Sequence, residues 1–375
     1  MPKHVNYYLL ALVVFLVGFG ALFLATLSAP SSLNFFGNTN HYLFAHLARI
    51  GAGIVAGFIF FKLPLKFLKN ISPVLFFLNL FVLGIVFIPF FGGTNFWGAT
   101  RWLSIGGITF QPSEFLKITA ILYLAALISN RLADHGKGGL LQSVKKGYGN
   151  FVHVFVPFLI LLGVISIILI LQPDISTLGI IAISLVAMYF AAKTPLWHVL
   201  ALGLAGVAGG FLLIYFKPYR AERLLVFLHP ETDPLGIGFQ MKQSLIAIGS
   251  GGWFGKGIGM SVQKFGFLPQ AMSDSVFAIL GEETGIIGCT ILIALFLLFF
   301  YLGYQIATKA TDKFAKLTAI GITFMIVFQA FLNITSTIGL FPLSGLPLPF
   351  FSYGGSHLIT ELIGVGLLLN ISRNG

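Results

Sequence analysis

Apolar residues occur in runs of about 20 along the chain, separated by shorter polar or glycine-rich stretches. A helix of about 20 residues rises about 30 Å, which matches the hydrocarbon thickness of a bilayer. Backbone groups in lipid must be satisfied within the helix, so the pattern predicts an all-α integral membrane protein and excludes an open sheet. The ten predicted transmembrane helices cover residues 7–27, 44–63, 71–91, 112–130, 151–171, 175–191, 195–216, 275–303, 316–340 and 355–372.

The basic residues between these runs predict the orientation of the chain. The short loops on one side hold Arg101 and no other basic residue. The side with both termini holds Lys3, Lys62, Lys66, Lys69, Arg131, Lys137, Lys145, Lys146, Lys193, Lys309, Lys313, Lys316 and Arg373. Because loops rich in Lys and Arg stay in the cytoplasm, we expect both termini to be cytoplasmic.

One long loop, residues 217–274, interrupts this regular pattern on the predicted outer side. It is amphipathic and rich in glycine, and loops of this length in a compact protein are usually functional. Residues 239–248 within it predict a short helix lying at the membrane interface. We expect the loop to fold over the outer face of a single membrane domain, residues 1–375.

The composition also indicates a membrane protein and excludes several other protein classes. The chain is 57% hydrophobic and 9% charged, with a mean hydropathy of +0.96, which excludes a soluble domain. Cytoplasmic loop charge explains the net charge of +11, so we expect no nucleic-acid partner. The single cysteine, Cys289, excludes a disulfide framework. Glycine pairs at Gly53 and Gly57, and at Gly206 and Gly210, predict close helix packing.

No nucleotide or metal motif is complete. The stretch "GSGGWFGKG" resembles a phosphate-binding loop, but it has Ser250 in place of the first glycine and Gly257 in place of Ser or Thr. The histidines show no zinc spacing. We therefore expect no required cofactor and no protein metal site, although a divalent cation could assist a phosphate leaving group.

Ionisable residues inside membrane spans are costly and suggest function. Glu114 and Lys117 could line a polar cavity or hold two helices together as an ion pair. Arg49 could face such a cavity or extend its head group toward water. Asp174 is a candidate helix N-cap, and Glu361 has no evident partner in the sequence.

Asp274 lies at the start of the eighth predicted span, with Glu282 and Glu283 following it. Flanked by Ser273 and Ser275, it could cap the helix. Partly desolvated beneath a basic loop, its carboxylate could instead have a raised pKa and act as a general base. The two glutamates would lie about 12 Å further along the helix and point about 100° apart.

Five segments together resemble one family of bacterial membrane proteins. They are "RWLSIGGITFQPSEFLK", "LQPDIST", "PYRAERLLVFLHPETDPLGIGFQMKQSLIAIGSGGWFGKGIGMSVQK", "SDSVFAILGEETG" and "GLPLPFFSYGGSHLI". In this order on a ten-span frame, they resemble the SEDS family (shape, elongation, division and sporulation). The segments "PYRAERLL", "GEE" and "LLLNISR" favour the division branch, whereas "LPLPFFSYGG" and "QPD" are closer to the elongation branch.

The resemblance implies a peptidoglycan glycosyltransferase of the bacterial cytoplasmic membrane. Such enzymes polymerise lipid II into glycan strands at the outer face, with undecaprenyl pyrophosphate as leaving group. The implied partners are a class B penicillin-binding protein, other membrane proteins of the division or elongation machinery, and membrane lipids. A lipid II flippase and a non-catalytic scaffold of the cell-wall synthesis complex remain alternatives.

The matched motifs also imply individual roles. Asp274 corresponds to the catalytic aspartate. Substrate binding is expected at Arg49, Arg101, Glu114, Lys117, Arg220, Arg223, Gln243, Ser244, Lys264, Glu282 and Ser352. Arginine suits pyrophosphate because its planar guanidinium makes bidentate contacts. The chain departs from the family pattern at Gln270, Ser275 and His357, which bears on the fine geometry of the substrate site.

Overall fold

The computed structural model describes residues 4–88, 101–105, 108–133, 154–192, 197–215, 218–233 and 236–374. Within these ranges the chain forms twelve α-helices and one β-hairpin. The first half contains α1 (Tyr7–Phe36), α2 (His41–Lys62), α3 (Leu65–Ile85), β1 (Leu103–Ile105), β2 (Ile108–Phe110), α4 (Pro112–Ala133), α5 (Val156–Leu171) and α6 (Ile175–Ala191). The second half contains α7 (Trp197–Tyr215), α8 (Pro218–Leu228), α9 (Ile237–Gly251), α10 (Val276–Lys309), α11 (Lys313–Thr337) and α12 (Ser356–Asn374).

Ten of these helices coincide in position with the ten predicted spans. Six are long and apolar enough to cross a membrane, and they are α1, α2, α3, α4, α10 and α11. Three shorter apolar helices cover Val156–Leu171, Ile175–Ala191 and Leu200–Phe211. An all-α multi-pass membrane protein is therefore confirmed, while the count of ten spans stays a prediction. Predicted span ends at residues 91, 151, 195 and 216 lie outside the described residues.

The hairpin was not predicted from the sequence. Its two three-residue strands pair antiparallel, with Leu103 opposite Phe110 and Ile105 opposite Ile108. The hairpin leads directly into α4, so it lies next to the first turn of that helix. Here backbone partners come from within the loop itself, which keeps the all-α character of the membrane part intact.

Helices α4, α11 and α12 form the centre of the molecule. α11 packs against α4, α6, α10 and α12. The residues of α12 from Ser356 to Ile371 are almost all buried, because neighbouring helices surround it. The polar side chains between Ser356 and Ile371, including Glu361, therefore lie inside the protein.

α2 and α12 approach each other closely. A Cβ added at Gly57 would lie 2.6 Å from the carbonyl oxygen of Leu362, and one at Gly366 would lie 2.1 Å from the carbonyl oxygen of Gly57. Only glycine allows backbones this close, so the packing predicted for Gly53 and Gly57 is confirmed. Within the part of the chain that the structure describes, no atom lies within 4 Å of a Cβ added at Gly206 or Gly210, so no close helix packing occurs there.

The predicted loop 217–274 is largely ordered into helices in its described part. α9 contains the short helix expected at residues 239–248, and it packs along the first turns of α10. The Asp233 carboxylate starts α9 by accepting hydrogen bonds from the backbone N–H groups of Gly236 (3.0 Å) and Ile237 (2.7 Å). Gln240 Nε2 on α9 donates to Ser275 Oγ at 3.1 Å, which holds α9 beside the residues that precede α10.

Helix α10 is broken at Gly285, which has φ 67° and ψ −167°. This region of backbone space is accessible essentially to glycine alone. Residues 252–257 supply the hydrogen bonds that the break removes. The N–H groups of Lys256 and Gly257 donate to the carbonyls of Glu282 (2.9 Å) and Glu283 (3.0 Å), and Ile286 N–H donates to Gly252 (2.9 Å).

Candidate active site

Asp274 precedes α10 and does not cap it. The helix begins at Val276 with Ser275 in the N-cap position, and Ser275 makes no side-chain capping bond. Asp274 is instead held through its backbone, whose carbonyl accepts a hydrogen bond from Nδ2 of Asn333 at 2.8 Å. The same nitrogen donates to the carbonyl of Leu346 at 2.7 Å. The carboxylate is therefore not used for capping.

The surroundings of Asp274 change its acidity. Burial raises the pKa of Asp274 from 3.8 to about 6, while a hydrogen bond from Ser273 and the positive charge of Arg223 act in the opposite direction. The side chain keeps some exposure and is not sealed in the core. A carboxyl group that is accessible and titrates close to neutral pH can exchange protons with a substrate hydroxyl.

A proline-rich loop, residues 341–355, lies against the chain that carries Asp274. Ser352 Oγ donates to the carbonyl of Ser273 and accepts from the N–H of Leu348 at 2.8 Å. The N–H of Tyr353 donates to the carbonyl of Met272 at 2.8 Å. The two backbones thus run side by side, and Ser352 positions Asp274 through its neighbour.

A chain of buried polar side chains supports the proline-rich loop from below. Lys117 Nζ lies 2.7 Å from the Glu114 carboxylate and donates to Gln329 Oε1 at 2.8 Å. Gln329 Nε2 donates to Glu361 at 3.3 Å, and Glu361 accepts the N–H of Phe350 at 2.9 Å. Glu114 and Lys117 thus form an ion pair within α4, Lys117 links α4 to α11 through Gln329, and Glu361 has its partner in the loop.

Sequence reasoning missed Gln329 and Asn333, both of which hold the site together. They stand four residues apart in the apolar run of α11, so they lie on one face of the helix. Their amide side chains inside a membrane span were a visible signal, because buried polar groups require partners.

Asp174 also has a role other than the expected N-cap. It occupies the N-cap position of α6 but makes no side-chain capping bond. Its carboxylate accepts hydrogen bonds from Ser113 Oγ at 2.9 Å and Gln111 Nε2 at 3.3 Å. Arg101 lies 3.9 Å away and donates through Nε to the carbonyl of Gln172 at 3.0 Å. Arg101 and Asp174 therefore tie the start of α4 to the start of α6.

Arg49 reaches the other face of the proline-rich loop. Its guanidinium carbon lies 4.4 Å from the centre of the Tyr353 ring, a cation–π distance. Its Nη1 is buried and makes no hydrogen bond to a described residue. His357, a departure from the family pattern, lies 3.3 Å from the carbonyl of Ser352 through Nε2. Both side chains thus support the loop that holds Asp274.

Glu282 and Glu283 bind the glycine-rich segment, defined here as residues 252–267. Glu282 accepts from Lys256 Nζ at 2.7 Å and from Ser261 Oγ at 2.5 Å. Glu283 accepts from the N–H groups of Gly259 at 2.8 Å and Ser261 at 3.2 Å, and lies 3.5 Å from Lys264 Nζ. The acids at the start of this apolar helix therefore hold the segment that completes the broken helix.

The remaining predicted site residues lie on α8 and α9. Arg223 is exposed on α8, and its charge acts on Asp274. Arg220 belongs to the same helix, but its side chain lies outside what the structure describes. Gln243 is partly buried on α9, and the Ser244 hydroxyl beside it is buried with no hydrogen-bond partner among the described residues.

The predicted residues therefore fall into groups. Asp274, Ser352 and the charge of Arg223 come together, while Lys264 and Glu282 belong to the glycine-rich segment. Glu114 and Lys117 lie beneath the proline-rich loop, and Arg101 is bound at α6. Among the described residues, no group of three or more His, Cys, Asp or Glu side chains is placed to hold a metal ion.

Comparison with known proteins shows the family of this chain. A family model described as "Cell cycle protein", covering FtsW, RodA and SpoVE, matches residues 7–375. The chain belongs to the FtsW/RodA/SpoVE family. It is 38% identical to stage V sporulation protein E of Bacillus subtilis over 86% of this chain and 84% of that protein. It is 35% identical to the probable peptidoglycan glycosyltransferase FtsW of Hydrogenovibrio crunogenus over 98% of this chain and 91% of that protein.

Solved structures of the FtsW/RodA/SpoVE family share the fold. A chain from a peptidoglycan synthase complex that coordinates polymerization and crosslinking superposes with a TM-score of 0.79. It is 26% identical, and the match covers 99% of this chain and 98% of that chain. RodA of Thermus thermophilus superposes with a TM-score of 0.70 at 24% identity, covering 99% of this chain and 98% of RodA. The protein is thus a multi-pass membrane protein with the RodA-like fold.

Proposed function

We propose that this protein is a peptidoglycan glycosyltransferase that polymerises lipid II at the outer face of the bacterial cytoplasmic membrane. Its FtsW relatives carry the name peptidoglycan glycosyltransferase, at 35% identity over nearly the whole chain for one of them. The observation that carries the proposal is the environment of Asp274. Its carboxyl group is partly exposed, has its pKa raised to about 6 and does not cap α10. A residue that only started a helix would not need this environment.

In the proposed reaction, ionised Asp274 takes the proton from the acceptor hydroxyl. The hydroxyl oxygen forms a bond to the anomeric carbon of the donor as the bond from that carbon to pyrophosphate breaks. Undecaprenyl pyrophosphate leaves with the bonding electrons, and the proton remains on Asp274. A general base contributes about 10²–10⁴-fold to such a rate, most effectively when its pKa lies near the working pH.

Arg223 and Arg220 are the proposed ligands of the leaving pyrophosphate. Both lie on α8, and the charge of Arg223 acts on Asp274. Lys117 and Lys264 are less suited to this role, because each is buried and lies near a glutamate, Glu114 and Glu283 respectively. Arginine offers two parallel N–H donors to phosphate oxygens, whereas lysine acts as a point charge.

The donor already carries its pyrophosphate, so the reaction requires no nucleotide. A divalent cation could bind to the substrate phosphates without a dedicated cluster of protein ligands. We further propose a class B penicillin-binding protein as partner, together with other membrane proteins of the division or elongation machinery. Glycan strands made here would then reach a transpeptidase in the same complex.

The deciding experiment incubates purified protein with labelled lipid II, alone and with its transpeptidase partner, and separates the products by size. We expect glycan polymer with wild-type protein and its loss in Asp274→Asn. A flippase would move lipid II across a vesicle membrane without lengthening it. A scaffold would give no polymer and would tolerate loss of Asp274. Either result in a folded preparation would refute the proposed glycosyltransferase activity.

A further inference from the structure

The glycine-rich segment, residues 252–267, carries a large exposed apolar surface outside the membrane-crossing helices. Seven of its side chains are more than half exposed. They are Trp253 (69%), Phe254 (82%), Ile258 (62%), Met260 (67%), Val262 (52%), Phe265 (64%) and Phe267 (55%). Apolar surface of this density does not remain in water without a partner. We infer that this segment inserts into one leaflet of the bilayer, with the acyl-chain boundary as its partner.

Charge pairing within the protein supports a lipid partner. Lys256 and Lys264 are the only charged residues in the segment. Lys256 Nζ lies 2.7 Å from the buried Glu282, and Lys264 Nζ lies 3.5 Å from the buried Glu283. Both lysine charges are therefore paired with carboxylates of α10. The surface that faces away from α10 presents mainly aromatic and aliphatic groups. A polar protein surface would find few complementary groups there.

The depth of the segment follows from its hydrogen bonds to α10. Gly252 and Trp253 accept the N–H groups of Ile286 (2.9 Å) and Ile287 (3.2 Å), so they lie level with the start of the unbroken part of α10. That part, residues 286–309, rises about 36 Å, enough to cross the hydrocarbon by itself. The segment therefore lies at one hydrocarbon boundary.

Neighbouring exposed surface continues from the segment onto the helices. Ile286, Ile287 and Ile291 on α10 are themselves exposed apolar residues of a membrane-length helix. Gly259 approaches α1, where an added Cβ would lie 3.9 Å from Cγ2 of Thr26. The segment thus extends an apolar face shared with two helices of membrane length. Tryptophan is typical of this interfacial depth, which agrees with Trp253.

Electron paramagnetic resonance of spin labels in liposomes tests this placement. Single cysteines replace Phe254, Ile258 and Phe265 in turn, after Cys289→Ala removes the native thiol. Power saturation then compares relaxation by oxygen, which concentrates in lipid, with relaxation by a water-soluble nickel chelate. Leu297, exposed in the middle of α10, is the lipid-facing control, and Thr232, exposed beyond α8, is the aqueous control.

We expect the oxygen-to-nickel ratio at Phe254, Ile258 and Phe265 to lie past the midpoint from Thr232 toward Leu297. A ratio near that of Thr232 would show a water-facing surface and overturn the inference. Weak relaxation by both reagents would show a surface covered by protein, and would overturn it as well. The measurement does not use enzymatic activity, so its outcome is independent of the proposed glycosyltransferase reaction.

Discussion

Asp274 makes different demands on stability and on catalysis. Its pKa rises from 3.8 to about 6 on folding, so the folded protein binds this proton more tightly than the unfolded chain does. The associated stabilisation is complete below about pH 4 and is lost as the pH rises through about 6. Ionised Asp274 is therefore a cost to the fold at neutral pH.

Asp274→Asn should consequently be at least as stable as wild type at pH 7.5, because the amide carries no charge to desolvate. Polymerisation of lipid II should fall by about 10²–10⁴-fold, because the amide accepts no proton. Thermal unfolding in detergent and the polymerisation assay measure the two effects on the same preparation. Near-normal polymer from a folded variant would remove Asp274 as the base.

The pH dependence of the wild-type rate follows from the same carboxyl group. Only the ionised form accepts a proton, so polymerisation should rise with pH through about 6 and then level off. Initial rates between pH 5 and pH 8 measure this, with protein stability checked at each pH. A rate that is flat across pH 6 in intact protein would exclude titration of this group as the controlling step.

Two substitutions at Arg223 separate its charge from its shape. The positive charge lowers the pKa of Asp274, so Arg223→Gln should move the rising limb of the pH profile to higher pH. Arg223→Lys keeps the charge and should leave the limb in place, but it should lower the rate because the bidentate contact is lost. Unchanged rates and profiles in both variants would assign Arg223 to surface solvation alone.

At the scale of elements, the break in α10 depends on its two glutamates. The pair of Glu283 with Lys264 is buried, whereas Lys256, which pairs with Glu282, is about two-fifths exposed. Removing one partner of a buried pair leaves a lone charge and costs about 3–5 kcal/mol. Lys256→Met leaves Glu282 its hydrogen bonds from Ser261, Val262 and Gln263, whereas Glu283→Gln leaves the buried Lys264 without its ion-pair partner. Glu283→Gln should therefore destabilise the protein more than Lys256→Met, as thermal unfolding would measure.

The double variant Glu283→Gln with Lys264→Met provides the control. It leaves no unpaired buried charge, so part of the lost stability should return even though the hydrogen bonds to Gly259 and Ser261 are weakened. A double variant that is less stable than Glu283→Gln alone would show that the ion pair is not what holds the glycine-rich segment.

The sequence predicted the elements better than the contacts between them. Apolar runs located ten helices and the additional helix α9, because membrane length and amphipathic pattern are local properties. The break at Gly285 was not predicted, since "GEETGIIGC" resembles a continuous span. Its missing hydrogen bonds come from residues 252–257, about 30 positions away, and no local pattern reports such a partner.

The candidate site shows the same division. Motifs identified Asp274 and Ser352, but the residues that fix them, Asn333 and Gln329, act through folded geometry. Lys264 and Glu282 stood in the sequence as equal candidates for substrate contact. In the fold they hold the glycine-rich segment, and substrate contact by either residue stays a prediction. Residue type and spacing identify chemistry, whereas the choice between contacting a substrate and supporting a loop depends on tertiary partners.

At the scale of the whole molecule, the reaction requires Asp274 on the side opposite both termini. The distribution of Lys and Arg in the short loops predicts that side to be the outer one. Single cysteines at Thr232, beyond α8, and at Thr311, between α10 and α11, lie at exposed positions on opposite sides in this topology. Each is introduced after Cys289→Ala, in whole cells that express the protein.

An impermeant thiol reagent added to intact cells should label the Thr232→Cys protein and leave the Thr311→Cys protein unlabelled. After the cells are opened, both should be labelled, which controls for the reactivity of each site. Labelling of Thr311→Cys alone in intact cells would place Asp274 on the cytoplasmic side. The donor for glycan synthesis would then have to be used before export, and the outer active site proposed here would be wrong.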